Sequence, residues 1–153
     1  MYKNIILFLA VCASIQVSAA EQMLKGTYKV PSPYCTSSGV PDPKTNEWPS
    51  CLDTYDCFSI KNVKGNRYWF SVEAVQANYH YCTATGYADR VDGQYVYIGD
   101  GTKATPDLTF SAKDGLIKFQ GSRDLCGARA DWSAVSIPIS TLKSQSAVNC
   151  IKH

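Results

Sequence analysis

Apolar and polar residues alternate along much of the chain with a period of two, the pattern of a strand that has one face in a core. In 68–74 the even-numbered positions carry Tyr, Phe, Val and Ala, and the odd-numbered ones lie on the other face. Similar alternation occurs at 58–61, 108–113 and 117–120, and a short opening strand is predicted at 26–30. The pattern therefore predicts an all-β protein.

The segment 81–91 alternates small residues with larger ones. Its even positions read Cys, Ala, Gly and Ala from 82 to 88. Small residues on a core-facing side leave room for large ones opposite, and Phe70 is such a partner. Gly86 is a candidate β-bulge position because glycine inside a strand often marks one.

Glycine-containing turns separate these segments. Asp-Gly between alternating runs predicts a two-residue hairpin. The turn signals are Lys64-Gly65-Asn66, Asp92-Gly93, Asp100-Gly101 and Asp114-Gly115. Short strands joined in this way predict a small antiparallel meander that closes into a barrel or a sandwich.

The first 19 residues have the features of a secretory signal peptide. Lys3 precedes a short apolar run at 5–12, and Val17-Ser18-Ala19 supplies the small residues that cleavage requires. We expect cleavage after Ala19 or Ala20; a buried N-terminal helix is the weaker interpretation. Residues 20–153 are then a single β domain, in the periplasm or secreted.

Six cysteines remain after cleavage, since Cys12 lies in the leader. An even number in an exported chain predicts three disulfides. The absence of an Asn-x-Ser/Thr sequence favours a bacterial periplasm over a eukaryotic secretory route. The six are Cys35, Cys51, Cys57, Cys82, Cys126 and Cys150.

The segment 31–56 differs from the rest in composition. It holds five of the seven prolines, and Cys35, Cys51 and Cys57 lie within or beside it. We predict a long loop stapled by disulfides. Long ordered loops often carry function, and capping one end of a barrel is an equal alternative.

Charge and chemistry exclude several classes of function. The 15 basic and 13 acidic side chains nearly balance, which gives no general attraction to nucleic acid or an anionic membrane. No second apolar run is long enough for a membrane span. We expect no metal, because in an oxidising compartment Cys51 and Cys57 form disulfides rather than bind an ion. We also expect no cofactor, since the sequence has no glycine-rich phosphate loop.

Catalysis is the minority hypothesis. The histidines are His80 and the terminal His153, and a triad needs a base beside its nucleophile. His80 lies between two tyrosines in a predicted strand, which favours a surface or packing role. A small hydrolase using His80 remains the third hypothesis for function.

Two motifs suggest a family. The first is Tyr81-Cys-Thr-Ala-Thr-Gly-Tyr-Ala88, and after a hairpin comes Cys126-Gly-Ala-Arg129. Together they resemble small exported proteobacterial Cys-rich proteins with a Cys-Gly-Ala-Arg motif, loosely related to lysozyme inhibitor LprI-type proteins. The resemblance covers roughly residues 57–138. The glycine that usually follows the arginine is Ala130 here, which puts in doubt a role that needs backbone freedom.

The resemblance also implies a disulfide. Family members often have an extra cysteine pair at the places where this chain has Asp107 and Ser122. Both partners are absent together, which leaves Cys82 and Cys126 as mates.

The other four cysteines can pair in three ways. We prefer Cys35–Cys51 with Cys57–Cys150, and the remaining two pairings stay open.

Arg129 has two possible roles. It pairs with Asp124, Asp131 or a carbonyl group, or a rigid turn presents it as an exposed cation. A lysozyme-like cleft contains a carboxylate pair, which an inserted cation would block.

Three aromatic residues complete the predicted binding set. Trp132 and Trp48 are candidate anchors, with core packing as their alternative, and Tyr87 lies on the face of its strand opposite the core. We hypothesise an exported, non-catalytic protein whose partner is a lysozyme or another peptidoglycan-degrading enzyme, as inhibitor or immunity protein. The alternative is an envelope structural or binding module with no enzyme target.

Overall fold

The structure, a computed structural model, describes residues 23–32, 44, 55–76, 80–100, 104–127 and 130–151. Within these residues, nine strands form one antiparallel sheet, which confirms the predicted all-β class. The strands are β1 (Gly26–Pro31), β2 (Tyr55–Lys64), β3 (Arg67–Gln76), β4 (His80–Val91), β5 (Gln94–Tyr97), β6 (Leu108–Lys113), β7 (Leu116–Gly121), β8 (Ser136–Pro138) and β9 (Leu142–Ser144).

The sheet is a meander that curls into a half-barrel. The first eight strands lie side by side in chain order, and β9 adds next to β1. β8 pairs with β7, β9 pairs with β1, and a single 3-10 turn at Ile139–Thr141 separates them. One short segment, 136–144, thus bridges the two edges of the sheet, and β1 lies against β8.

Aromatic rings fill the concave side of the sheet. Phe110 is at the centre, with its ring centroid 5.1 Å from Phe58, 5.1 Å from Phe70 and 5.0 Å from Tyr95. These side chains come from alternate positions of β2, β3, β5 and β6 and are almost fully buried. The period-two pattern therefore predicted the core-facing side correctly.

Two of the predicted hairpins have the backbone geometry that their sequence favours. Asp92 and Gly93 have φ of 46° and 80°, and Asp114 and Gly115 have φ of 53° and 74°. Positive φ at both central residues is characteristic of the type I′ turn, whose twist matches that of paired strands. Both Asp-Gly predictions are confirmed.

The third Asp-Gly signal does not make a tight hairpin. β5 ends at Tyr97 and β6 begins at Leu108, so the connection is a longer loop. Its base is held by the Asp107 carboxylate, which accepts a hydrogen bond from Gly99 N–H at 2.8 Å. β5 and β6 are therefore not joined by a two-residue turn at Asp100-Gly101, of which Gly101 lies outside the described residues.

Gly86 is not a bulge. The β3–β4 register runs without interruption from Arg67↔Asp89 to Gln76↔His80. Glycine is required here for space instead: a Cβ at Gly86 would lie 2.5 Å from Cε2 of Tyr97, whose ring packs edge-on against Phe70 at 5.1 Å.

Gly86→Ala is expected to destabilise the protein by about 1–3 kcal/mol, because overpacking forces neighbouring side chains from their preferred positions. Thermal and urea unfolding would measure the loss. Tyr97→Leu is the matched second change, since it removes the obstructing ring. The Gly86→Ala substitution should cost much less in the Tyr97→Leu background; an equal cost in both backgrounds would contradict the steric explanation.

Several predictions fall wholly or partly outside the described residues. These are the signal peptide at 1–19, and most of the Pro-rich segment with Cys35, Cys51 and Trp48. The limits of that segment are narrower than 31–56, because Pro31 belongs to β1 and Tyr55 and Asp56 begin β2. In the part of the chain that is described, no helix is long and apolar enough to cross a membrane.

Candidate binding surface

Two disulfides brace the sheet. Cys82 in β4 is bonded to Cys126, with the Cα atoms 4.0 Å apart, as the family resemblance implied. Cys57 in β2 is bonded to Cys150 near the C-terminus, with the Cα atoms 5.6 Å apart. This bond belongs to the preferred one of the three ways of pairing the other four cysteines, and its predicted companion, Cys35–Cys51, lies outside the described residues. Disulfides of this kind indicate an oxidising, extracytoplasmic environment.

The described part of the Cys-Gly-Ala-Arg motif, Cys126 and Gly127, attaches this segment of the chain to β4. Cys126 bridges to Cys82, and Gly127 N–H donates to the carbonyl oxygen of Tyr81 at 2.9 Å. Arg129 lies outside the described residues. Asp131, one of its predicted partners, forms an ion pair with Arg123 at 3.2 Å.

Asp131 also begins a 3-10 turn at Trp132–Ala134, where its carboxylate accepts a hydrogen bond from Ser133 N–H at 2.8 Å. This bond lowers the pKa of the Asp131 carboxyl, and Arg123 lowers it further. The turn directs the next side chain, Trp132, inward.

Trp132 lies in the core and not on the outer surface of the sheet. Its side chain is 0 % exposed, and its ring lies 5.8 Å from that of Phe119. The interpretation of Trp132 as a partner-binding anchor is therefore corrected to the core alternative. The physical reason is that a large indole beside Phe119 of β7 removes more apolar surface from water inside the half-barrel than outside it.

Tyr87 is on the outer face and belongs to a larger group. Its side chain is 52 % exposed, and Trp69 lies directly opposite in β3. Lys61 is opposite Trp69 in β2, with its Nζ 5.2 Å from the indole centroid. Arg67 places its Cζ 5.3 Å from the Tyr87 centroid. We call these four residues the aromatic platform.

The aromatic platform stands on the best-paired part of the sheet. β3 has neighbours on both sides along most of its length, and ten consecutive residue pairs join it to β4. The backbone is paired on both sides at Trp69 and with β3 at Tyr87, so binding of a partner would have to order little backbone. Lys61 and Arg67 are exposed, as is Lys64 at the end of β2.

Sequence reasoning missed three of the four platform residues. Alternation had already placed Trp69 on the face opposite the core, and a large aromatic there was the available signal. That Lys61 and Tyr87 are its cross-strand neighbours depends on the strand register, which the local pattern does not contain.

A second feature on the outer face is the C-terminal tail, residues 145–151, which crosses strands β1 to β3. Thr27, Ser59 and Ser71 stand opposite one another on these strands. Thr27 Oγ1 donates to the carbonyl oxygen of Ser146 at 2.8 Å, and Ser71 Oγ accepts from Cys150 N–H at 3.1 Å. This hydroxyl row gives the tail the partners that a neighbouring strand would give.

A groove of about 550 Å³ opens beside the tail. We call it the tail groove. Its lining includes Lys29, Tyr55, Glu73, Val75, Tyr81 and Val148, with the Cys57–Cys150 disulfide in its wall.

Asp56 on β2 is hydrogen-bonded to Val75 on β3, one of the residues that line the tail groove. It is 4 % exposed, and its carboxylate accepts a hydrogen bond from Val75 N–H at 2.9 Å. Burial raises the pKa of the Asp56 carboxyl, and the hydrogen bonds from Val75 and Ser32 partly offset that increase. The pairing of β3 with β2 ends at Glu73, so Val75 N–H has no partner on β2 in that pairing. The Asp56 carboxylate accepts the hydrogen bond instead.

The described residues assemble no metal site, since no group of three or more potential ligands is close enough to hold an ion. His80 begins β4 and packs against Gly127, where an added Cβ would lie 2.9 Å from its Nδ1. No family model matches the chain, and no curated protein or solved structure matches it either.

Proposed function

We propose that this protein is an exported, non-catalytic binding protein that inhibits a lysozyme-like or other peptidoglycan-degrading enzyme, as an inhibitor or immunity protein. The aromatic platform is the observation that carries the proposal. Tryptophan, tyrosine and arginine are the residue types that most often dominate the binding energy of protein interfaces. Here Arg67 and Tyr87 are exposed and Trp69 is half-buried beside them, on paired strands.

Charge supports an acidic partner. Lys61 and Arg67 each lie near an aromatic face, so the platform presents flat apolar surface and cations in one patch. A glycosidase cleft of the lysozyme type contains two carboxylic acids and binds sugar rings on apolar surfaces. A rigid aromatic and cationic surface is complementary to such a cleft in both respects. Arg129 and Trp48 remain predicted contributors outside the described residues.

The test mixes the oxidised chain without its leader with a panel of lysozymes and follows the clearing of a peptidoglycan suspension. We expect stoichiometric inhibition of one lysozyme class. The double variant Trp69→Ala/Tyr87→Ala should raise the inhibition constant by more than about tenfold, as loss of central interface residues does. Thermal unfolding should show that the variant is folded.

Lys118→Gln is the matched control, because Lys118 is exposed on β7, away from the platform. It should inhibit like the parent protein. Full inhibition by the double variant would exclude the platform and direct attention to Arg129→Ala and to truncation between Cys35 and Cys51. If micromolar protein inhibits no lysozyme, the lysozyme version of the proposal is wrong, and a pull-down that returns only envelope components would favour the envelope module.

A further inference from the structure

The turns after β2, β4 and β6 lie at the same end of the sheet as the start of β1, because alternate turns of an antiparallel meander share an end. We call this region the hairpin end. It comprises residues 23–25, 63–67, 91–93 and 113–115.

Charge is separated between the two ends of the sheet, although it is nearly balanced over the whole chain. The hairpin end carries four basic and two acidic side chains. The described loop residues at the other end, 98–100, 104–107, 122–127 and 130–134, carry one basic and four acidic side chains. The hairpin end is therefore the face of the described structure that suits an anionic partner.

Apolar side chains are exposed at the same place. Met23, Val63 and Val91 are 58 %, 50 % and 53 % exposed. Val63 is left out of the β2–β3 pairing, whose register shifts between Asn62 and Lys64, and an irregularity of this kind often re-aims a side chain. Val91 ends β4, and since β2 and β4 flank β3, their ends lie roughly 10 Å apart.

Contacts between neighbouring segments hold the hairpin end together. Arg90 N–H, next to Val91, donates a hydrogen bond to the carbonyl oxygen of Asn66 at 2.8 Å, which joins the first two turns. The hydroxyl oxygen of Tyr68 lies 3.9 Å from Sδ of Met23, which joins the segment before β1 to β3. Apolar and basic side chains are thus presented together on one braced surface.

We infer that the hairpin end binds an anionic membrane surface, with its exposed apolar side chains among the lipid head groups and its basic side chains at the phosphates. Peripheral binding of this kind depends on buried apolar area together with attraction to anionic lipids, and the hairpin end offers both. Separate apolar side chains on projecting turns suit a head-group layer that adapts to them, whereas a protein partner needs a matching packed surface. The basic side chains are those of Lys25, Lys64, Arg67 and Lys113.

Co-sedimentation of the oxidised protein with lipid vesicles tests the inference. The protein should bind vesicles of phosphatidylethanolamine and phosphatidylglycerol at least about tenfold more tightly than vesicles of phosphatidylcholine. Raising the NaCl concentration from about 50 mM to about 500 mM should weaken the binding, because salt screens attraction between exposed charges.

Two double variants divide the hairpin end into its basic and apolar parts. Lys25→Gln/Lys64→Gln should weaken binding by roughly tenfold to thirtyfold, since each basic side chain near an anionic surface contributes about fivefold. Val63→Ser/Val91→Ser should weaken binding by about tenfold, because less apolar surface leaves water on binding. Thermal unfolding should show that both variants are folded.

Matched variants test whether the effect is local. Lys29→Gln/Arg123→Gln removes the same charge from outside the hairpin end and should bind like the parent protein. Asp92→Asn should tighten binding by about fivefold, because it removes a negative charge beside Val91 while Asn-Gly keeps the preference for a type I′ turn.

The inference does not rest on the proposed function, because the hairpin end and the aromatic platform share only Arg67. The Trp69→Ala/Tyr87→Ala variant should therefore bind vesicles like the parent protein, whatever the lysozyme assay returns. Equal sedimentation with anionic and neutral vesicles, or no binding to either, would overturn the inference. Equal losses in the Lys25/Lys64 and Lys29/Arg123 variants would also overturn it, since only net charge would then matter.

Discussion

Replacing Trp132 with alanine is expected to lower the free energy of unfolding by about 3–5 kcal/mol. The indole is fully buried against Phe119, and its removal leaves a cavity next to a close-packed aromatic core. The Nε1 atom of Trp132 has no hydrogen-bond partner among the described residues. The loss therefore comes from packing, and urea unfolding followed by circular dichroism would measure it.

Two variants control this experiment. Trp132→Phe keeps much of the apolar volume and gives up no hydrogen bond within the described structure, so it should cost clearly less than alanine. Trp69→Ala removes the same side chain from the half-exposed outer face and should cost less than about 1 kcal/mol. A Trp132→Ala loss no larger than that of Trp69→Ala would contradict the core placement.

Removing the Cys57–Cys150 disulfide is expected to cost somewhat more stability than removing Cys82–Cys126. The sequence separations are 93 and 44 residues. In the chain-entropy description these correspond to about 4.7 and about 4.0 kcal/mol, because a longer loop restricts the unfolded chain more. Unfolding of the double variants Cys57→Ala/Cys150→Ala and Cys82→Ala/Cys126→Ala would test the order.

Hydrogen exchange separates a local effect from the global one. Val148 N–H donates to Thr27 Oγ1 at 3.3 Å and Cys150 N–H to Ser71 Oγ at 3.1 Å, so both amides report whether the tail is docked. Under native conditions they should lose protection in the Cys57/Cys150 variant and keep it in the Cys82/Cys126 variant. Retained protection in both would mean that the hydroxyl row alone holds the tail.

Local pattern predicted the strands well for a physical reason. The period of two reflects the alternation of side chains on a single strand, and the type I′ turn depends on two adjacent residues. A short segment of the sequence is enough to recognise either the alternation or the turn. This is why the core face of β3 and the turns at Asp92-Gly93 and Asp114-Gly115 agree with the structure.

The predictions failed at positions whose local structure depends on residues elsewhere in the chain. Gly86 carries no side chain because Tyr97 occupies the space, and alternation alone cannot distinguish that from a bulge. Asp100-Gly101 resembles a hairpin turn, yet the β5–β6 pairing stops at Tyr97 and Leu108, and the Asp107 carboxylate accepts a hydrogen bond from Gly99 N–H in the loop between them. Trp132 is buried because its turn faces the half-barrel.

The sequence alone predicts an all-β chain with tight hairpins at Asp92-Gly93 and Asp114-Gly115 and with cysteines suited to an oxidising compartment, because each of these properties is local or compositional. The folded chain is needed to show that Cys57 is bonded to Cys150, that segment 136–144 bridges the sheet edges, and that Lys61, Trp69 and Tyr87 are cross-strand neighbours. These depend on strand register and sheet curvature. Both are set by many weak contacts between residues far apart in the chain, and no short segment encodes them.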